Sequence, residues 1–264
     1  MTDRRHIRLI CALILFGSIL AGGAGVLPAA AQSRPQLLEG LQQVSTIEQA
    51  QEWITYYYLH PRPDLLPSAL EVFSKAGLLT SKEDASGIVS FIAQLCVANP
   101  GKVNSWALIV AKRPEDQKVA LEAALWIANS VESRLALSVL GASSGQTQKK
   151  AIDQMLSNSP PDVLRGDIES PTVIDGLWGG FFATGDGRYV RRVISVLPLI
   201  NTKINTEGAA AKVSLGRAAE RSLTNNAILH PAVMAICESE LGRAPSDEKA
   251  VLAQVVQRAK EGKR

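Results

Sequence analysis

The sequence predicts an all-α protein, an array of about ten antiparallel helices forming hairpins, either α-solenoid-like or a compact helical bundle. Three observations predict it. Apolar residues recur with the 3.6-residue period almost throughout, Pro- and Gly-containing turns interrupt that pattern at short intervals, and no stretch alternates with a period of two between hairpin turns. The chain has 264 residues, 46% of them hydrophobic and 20% charged, which excludes a wholly disordered or collagen-like polymer. That length suffices for one or two domains, each with its own core.

Residues 1–31 read as a signal peptide. Arg4, Arg5 and Arg8 form a basic start, Leu9 to Val26 is apolar or Gly almost throughout, and Ala29 and Ala31 satisfy the small-x-small spacing of a cleavage site before Gln32. The competing reading is a retained anchor, since the apolar run is just long enough to span a bilayer. Cleavage would remove three arginines against Asp3, lowering the formal net charge from +3 to +1. A nearly neutral mature chain has no electrostatic footprint for nucleic acid. The expected location is therefore the periplasm or the medium, with no membrane insertion after cleavage.

Residues 32–264 read as the helical domain, divisible into two halves joined near 141–170. Ser45-Thr46-Ile47-Glu48 is a capping box with Ser45 as N-cap, and it opens a helix through Ile47, Ala50, Ile54, Tyr57 and Tyr58. His60-Pro61-Arg62-Pro63 ends it, because proline cannot continue the hydrogen-bond ladder and disfavours helical backbone before it. A second helix runs from about Asp64 to Ala76 and stops at Gly77; a third runs from Ser81 to Asn99. Trp106–Lys112 is a short fourth. Pro114-Glu115-Asp116 opens a fifth, with acids at the positive end of the dipole. Its nearly all-round apolar run at 123–127 marks it as central. Val131–Leu140 continues the array.

Gly141–Thr147 and Ser157–Pro171 read as loops. Further helices follow near 171–184, 187–199, 207–225, 229–242 and 247–261, the third of these rich in small residues that permit close packing. Gly179 and Gly180 would let a neighbouring helix approach, and Gly185-Asp186-Gly187 would make a hairpin turn. An internal echo accompanies this pattern: Trp53, Tyr56, Tyr57 and His60 align at constant offset with Trp178, Phe181, Phe182 and Gly185. The layout of an aromatic helix, a Gly turn and a second helix resembles tetratricopeptide-like hairpins over about two hairpins. The resemblance implies an architecture and peptide or protein binding, and it identifies no functional residue.

Chemistry-bearing patterns are sparse. Outside the first 31 residues the histidines are His60 and His230, each before Pro, and the cysteines are Cys96 and Cys237, each on an apolar helical stripe. No H-E-x-x-H, C-x-x-C, G-x-S-x-G or P-loop pattern occurs, so no metal, cofactor or nucleophile is expected. The two cysteines read as buried thiols, with a disulfide as the alternative in an oxidising compartment. Arg188, Arg191 and Arg192 form a basic cluster, either a solvated helix face or a contact for an acidic partner.

Three consecutive tyrosines, 56–58, point to widely different sides of a helix, so at least one ring should face outward or into a groove. The candidate binding residues are accordingly Trp53, Tyr56, Tyr57, Trp178, Phe181 and Arg188, since Trp, Tyr and Arg dominate binding hot spots. The expected function is a non-catalytic, exported binding or scaffolding module for a protein or peptide partner in the cell envelope. The alternatives are a cell-envelope hydrolase of the helical transglycosylase type, which requires two carboxylates facing across a cleft, and a secreted effector.

Overall fold

The computed structural model describes residues 40–204 and 207–262, with residues 82–84 described by backbone alone. The expected signal peptide at 1–31 lies outside these residues. Within them the chain forms twelve α-helices and no strand. The first half comprises α1 (Ile47–Tyr56), α2 (Leu66–Lys75), α3 (Lys82–Ala98), α4 (Val103–Ala111), α5 (Glu115–Ala128), α6 (Val131–Ala142) and α7 (Gln146–Ser157). The second comprises α8 (Pro171–Thr184), α9 (Gly187–Ile194), α10 (Ala209–Leu229), α11 (Pro231–Leu241) and α12 (Ser246–Gly262). Short 3-10 turns at Pro63–Leu65, Pro100–Lys102 and Leu197–Asn201 link neighbours. The all-α expectation holds. Among the described residues no helix is long and apolar enough to cross a membrane.

Local chemistry sets the boundaries. The capping box of α1 sits one residue later than its sequence position suggests: Thr46 Oγ1 accepts from Gln49 N at 3.3 Å, and Gln49 Oε1 accepts in return from Thr46 N at 3.3 Å and also from Ser45 N at 2.8 Å. Asn129 takes left-handed backbone, φ 48°, and closes α5 within one residue of the Ser130 cap of α6. The expected loop at Gly141–Thr147 shrinks to residues 143–145, and Gly141 packs its bare Cα against Ile152 of α7.

The two halves share one core. The most extensive helix pairing joins α3 to α8, one from each half. Glycine makes the approach possible, because a Cβ on Gly179 would meet the carbonyl carbon of Gly87 at 3.0 Å and the backbone nitrogen of Phe91 at 3.1 Å. Ser86 Oγ donates to Thr172 O at 2.7 Å along the same seam. Gly180 faces the other way, where the Tyr189 ring of α9 occupies the space a Cβ would need. Gly185, at φ 69°, then reverses the chain from α8 into α9, as the glycine pattern anticipates.

Candidate anion-binding site

The structure gathers most of the sequence-selected aromatics into the core rather than onto a surface. Trp53 and Phe181 have no exposed surface, Trp178 is 1% exposed, and Tyr57 and Tyr56 are 4% and 6% exposed. Trp53 and Tyr57 each set an edge against Phe91 of α3, with ring centroids 5.1 and 5.2 Å away. Trp178 stacks on Phe182, and Tyr58 lies 5.0 Å from Phe181. The two aromatic segments therefore line a single core.

The expectation of an outward tyrosine is corrected, because the end of α1 is wedged among α3, α8 and α11. Tyr57 meets α3, Tyr56 meets His230 at the start of α11, and Tyr58, part-buried, meets α8, so each of the three rings rests on a neighbouring helix. Leu59, 47% exposed, takes the outward position in that turn. Trp53, Tyr56, Tyr57, Trp178 and Phe181 offer a partner almost no surface.

His230 is completely buried between α10 and α11, ringed by Tyr56, Tyr58, Phe181 and Phe182. Its Nδ1 lies 3.2 Å from Tyr58 Oη, its Nε2 has no hydrogen-bond partner, and burial pushes its pKa down to about 4. It is a neutral core histidine at a turn. Cys96 and Cys237 are unpaired and buried, and burial pushes both thiols up to about 12, which removes the thiolate a nucleophile needs. Among the described residues no group of three or more His, Cys, Asp or Glu is arranged to hold a metal ion.

Arg188 differs from the other five candidates. Its side chain is 70% exposed and stands at the mouth of a cavity of about 410 Å³ lined by Asp162, Leu164, Arg165, Arg188, Arg191, Arg192 and Ser195. The helix α9 builds it by periodicity: Tyr189, Val190, Val193 and Ile194 are buried, which turns Arg188, Arg191, Arg192 and Ser195 together to the opposite side.

Asp186 starts the helix by accepting from Arg188 N at 2.9 Å and from its guanidinium at 2.7 Å. That pairing with Arg188 holds the Asp186 carboxyl below the usual carboxylate range. Arg191 Nε donates to Glu240 at 2.8 Å, tying α9 to α11.

The opposite wall is the stretch 158–170 that periodicity leaves unassigned. Asp162 folds it into a tight turn, its Oδ1 accepting from Leu164 N at 2.9 Å and its carbonyl from Gly166 N at 2.7 Å. Arg192 Nη2 donates to Gly166 O and pins the turn against α9, which brings Arg165 to the rim. Arg192 Nε is buried with no hydrogen-bond partner. Each guanidinium has five N–H donors and uses only part of that set on Asp162, Asp186, Glu240 or Gly166. The cavity thus presents spare, convergent, positively charged donors. Sequence spacing signals the α9 residues, but nothing local in the loop marks Arg165 or Gly166.

Two other cavities are less charged. One, about 490 Å³, lies between Val44 and α2 with Glu71 and Lys75 at its edge. The other, about 380 Å³ and largely apolar, lies between α3 and α5 with Asp116 at its edge. Each of the three cavities is lined by one carboxylate, Asp162, Glu71 or Asp116, rather than by a facing pair. Comparison with protein-family models, with curated proteins and with solved structures finds no match for this chain.

Proposed function

We propose that this chain is an exported, non-catalytic helical binding module that holds an acidic segment of a protein partner against the arginine-lined face of α9. The observation that carries the reading is the convergence of Arg165, Arg188, Arg191 and Arg192 around one open cavity with donors to spare. Arginine forks suit carboxylates because two parallel N–H groups meet two oxygens. The rest of the molecule acts as a rigid frame, since α9 is locked to α11 through Glu240 and to α8 through the Gly180–Tyr189 contact. The tetratricopeptide-like layout fits the same role, as helical hairpin arrays present side chains to extended segments.

The test is titration of the purified protein with a fluorescent glutamate-rich peptide and a lysine-rich control, read by anisotropy at rising salt. Binding of the acidic peptide alone, weakened by salt and by at least about tenfold in the double variant R165E/R188E, is expected. Equal binding of both peptides, or an unchanged affinity in R165E/R188E, would sink the proposal.

A further inference from the structure

Glu122, on α5, is a carboxyl group only 2% exposed. Lys118, one turn before it, is spent on Glu115 at 2.7 Å. What Glu122 meets is α7, where Gln148 Nε2 donates to its Oε1 at 2.6 Å. Gln148 Oε1, the other end of that carboxamide, is buried with no hydrogen-bond partner. An ionised carboxylate offers acceptors alone, so in that form a buried charge and a buried orphan acceptor stand side by side. A proton on Glu122 removes both faults. The carboxyl becomes neutral and gains one O–H donor, and the empty acceptor beside it is the Gln148 carbonyl.

We propose that Glu122 and Gln148 form a proton-operated latch on α7. The protonated carboxyl closes a cyclic acid–carboxamide pair, its O–H donating to Gln148 Oε1 while Gln148 Nε2 donates to its carbonyl oxygen. Loss of that proton to solvent opens the pair and loosens the helix. Little else holds α7 on α5. Ile152 is its one buried residue, it packs chiefly against α6, and just past its end Trp126 Nε1 donates to Asn158 O at 3.1 Å. An element with so few buried apolar contacts belongs to the low-stability end of a fold, where a single hydrogen-bonded pair decides how often it opens. Asn158 begins the stretch that walls the arginine cavity, so the latch also sets the footing of that wall.

The surrounding charges leave burial in control. Glu115 and Lys118 act on Glu122 with opposite signs. On α7, Lys149 pairs with Asp153 and Lys150 is exposed. On α6, Glu132 sits in the first turn, and Arg134 is held by Asn129 Oδ1 and Leu156 O. Neither α4 nor residues 85–98 of α3 carry a charged residue. Burial therefore raises the Glu122 pKa above the ordinary 4.5, against the lowering effect of the Gln148 hydrogen bond. With the folded value raised, the latch contributes fully below about pH 4.5 and loses its contribution as pH rises through the folded value.

Native-state hydrogen exchange of the α7 amides between pH 5 and pH 8, each corrected for its intrinsic rate, tests the latch. The comparison is Glu122→Gln, whose carboxamide has the shape of the protonated carboxyl and donates to Gln148 Oε1 at every pH. His230 titrates in both proteins, so its effect cancels in their ratio. Across this range α7 of the wild type should lose at least about tenfold in protection relative to E122Q, tenfold being the consequence of each pH unit by which folding displaces a pKa. The double variant Glu122→Leu/Gln148→Leu, which has neither partner, should show the same pH-independence as E122Q and serves if E122Q does not fold. Carbon-13 titration of the Glu122 carboxyl in the wild type should give a midpoint above 4.5. A constant ratio of wild-type to variant protection across the range, or a midpoint at or below 4.5, would overturn the proposal.

Discussion

The Tyr58 hydroxyl lies 3.2 Å from His230 Nδ1 in a ring of aromatic side chains, joining the end of α1 to the junction of α10 and α11. The imidazole there is neutral because burial disfavours the charged form. The folded pKa of about 4 lies below the reference 6.5, so the native state binds the proton less well than the unfolded chain. The contribution to stability is therefore complete above pH 6.5 and is lost as pH falls from there through 4. It amounts to about 3 kcal/mol from a displacement of this size. Denaturant unfolding at pH 7.5 and pH 4.5 should show a loss in the wild type that is visibly smaller in His230→Phe. Equal losses in the two proteins would mean that the histidine does not titrate on unfolding.

Gly179→Ala should be among the most damaging single-methyl additions in the chain. The new Cβ would strike the backbone of α3 at Gly87 and Phe91, which cannot swing aside as a side-chain tip can. Separating α3 from α8 loosens the pairing that joins the two halves. A loss of about 1–3 kcal/mol is expected, or roughly 2–4 °C of melting temperature per kcal/mol for a chain of this size. Gly145→Ala is the control, since nothing lies within 4 Å of a Cβ at that turn position. Similar melting temperatures for the two variants would contradict the close approach.

Tyr56→Ala should now behave as a core truncation, losing about 3–5 kcal/mol, because the ring is 6% exposed and rests on His230. An unchanged melting temperature would show that the ring is not packed. The position also shows what sequence could convey. Helical periodicity located nearly every helix, since each buries a stripe against neighbours, and the glycines at 179, 180 and 185 announced a close crossing and a turn. Periodicity gives the face of one helix, however, and not the number of elements packed around it. Tyr56 and Tyr57 are buried and Tyr58 half-buried because α3, α8 and α11 converge on that helix end. The arginine pocket was half legible for the same reason. Arg188, Arg191 and Arg192 share a readable helix face, whereas Arg165 reaches them through a loop whose course is set by tertiary contacts, among them the Arg192–Gly166 hydrogen bond and the packing of Val163, Leu164 and Ile168 on the core.

That hydrogen bond gives the last prediction. Arg192 Nη2 holds the carbonyl of Gly166, and residues 158–170 contain no helix of their own to keep them in place. Arg192→Met keeps the aliphatic stem and the apolar packing but removes the donor, so the turn around Asp162 should detach from α9 while the helical core stays folded. Limited trypsin digestion should then cut after Arg165 at least about tenfold faster than in the wild type, with the melting temperature within about 2 °C of it. Arg188→Met serves as the comparison, because Arg188 pairs with Asp186 on its own helix end and touches no part of the loop through a hydrogen bond. It should leave cleavage after Arg165 unchanged. Faster cleavage in both variants would assign the loop's order to the charge of the cluster as a whole; cleavage unchanged in both would mean that Asp162 and its backbone bonds hold the turn unaided.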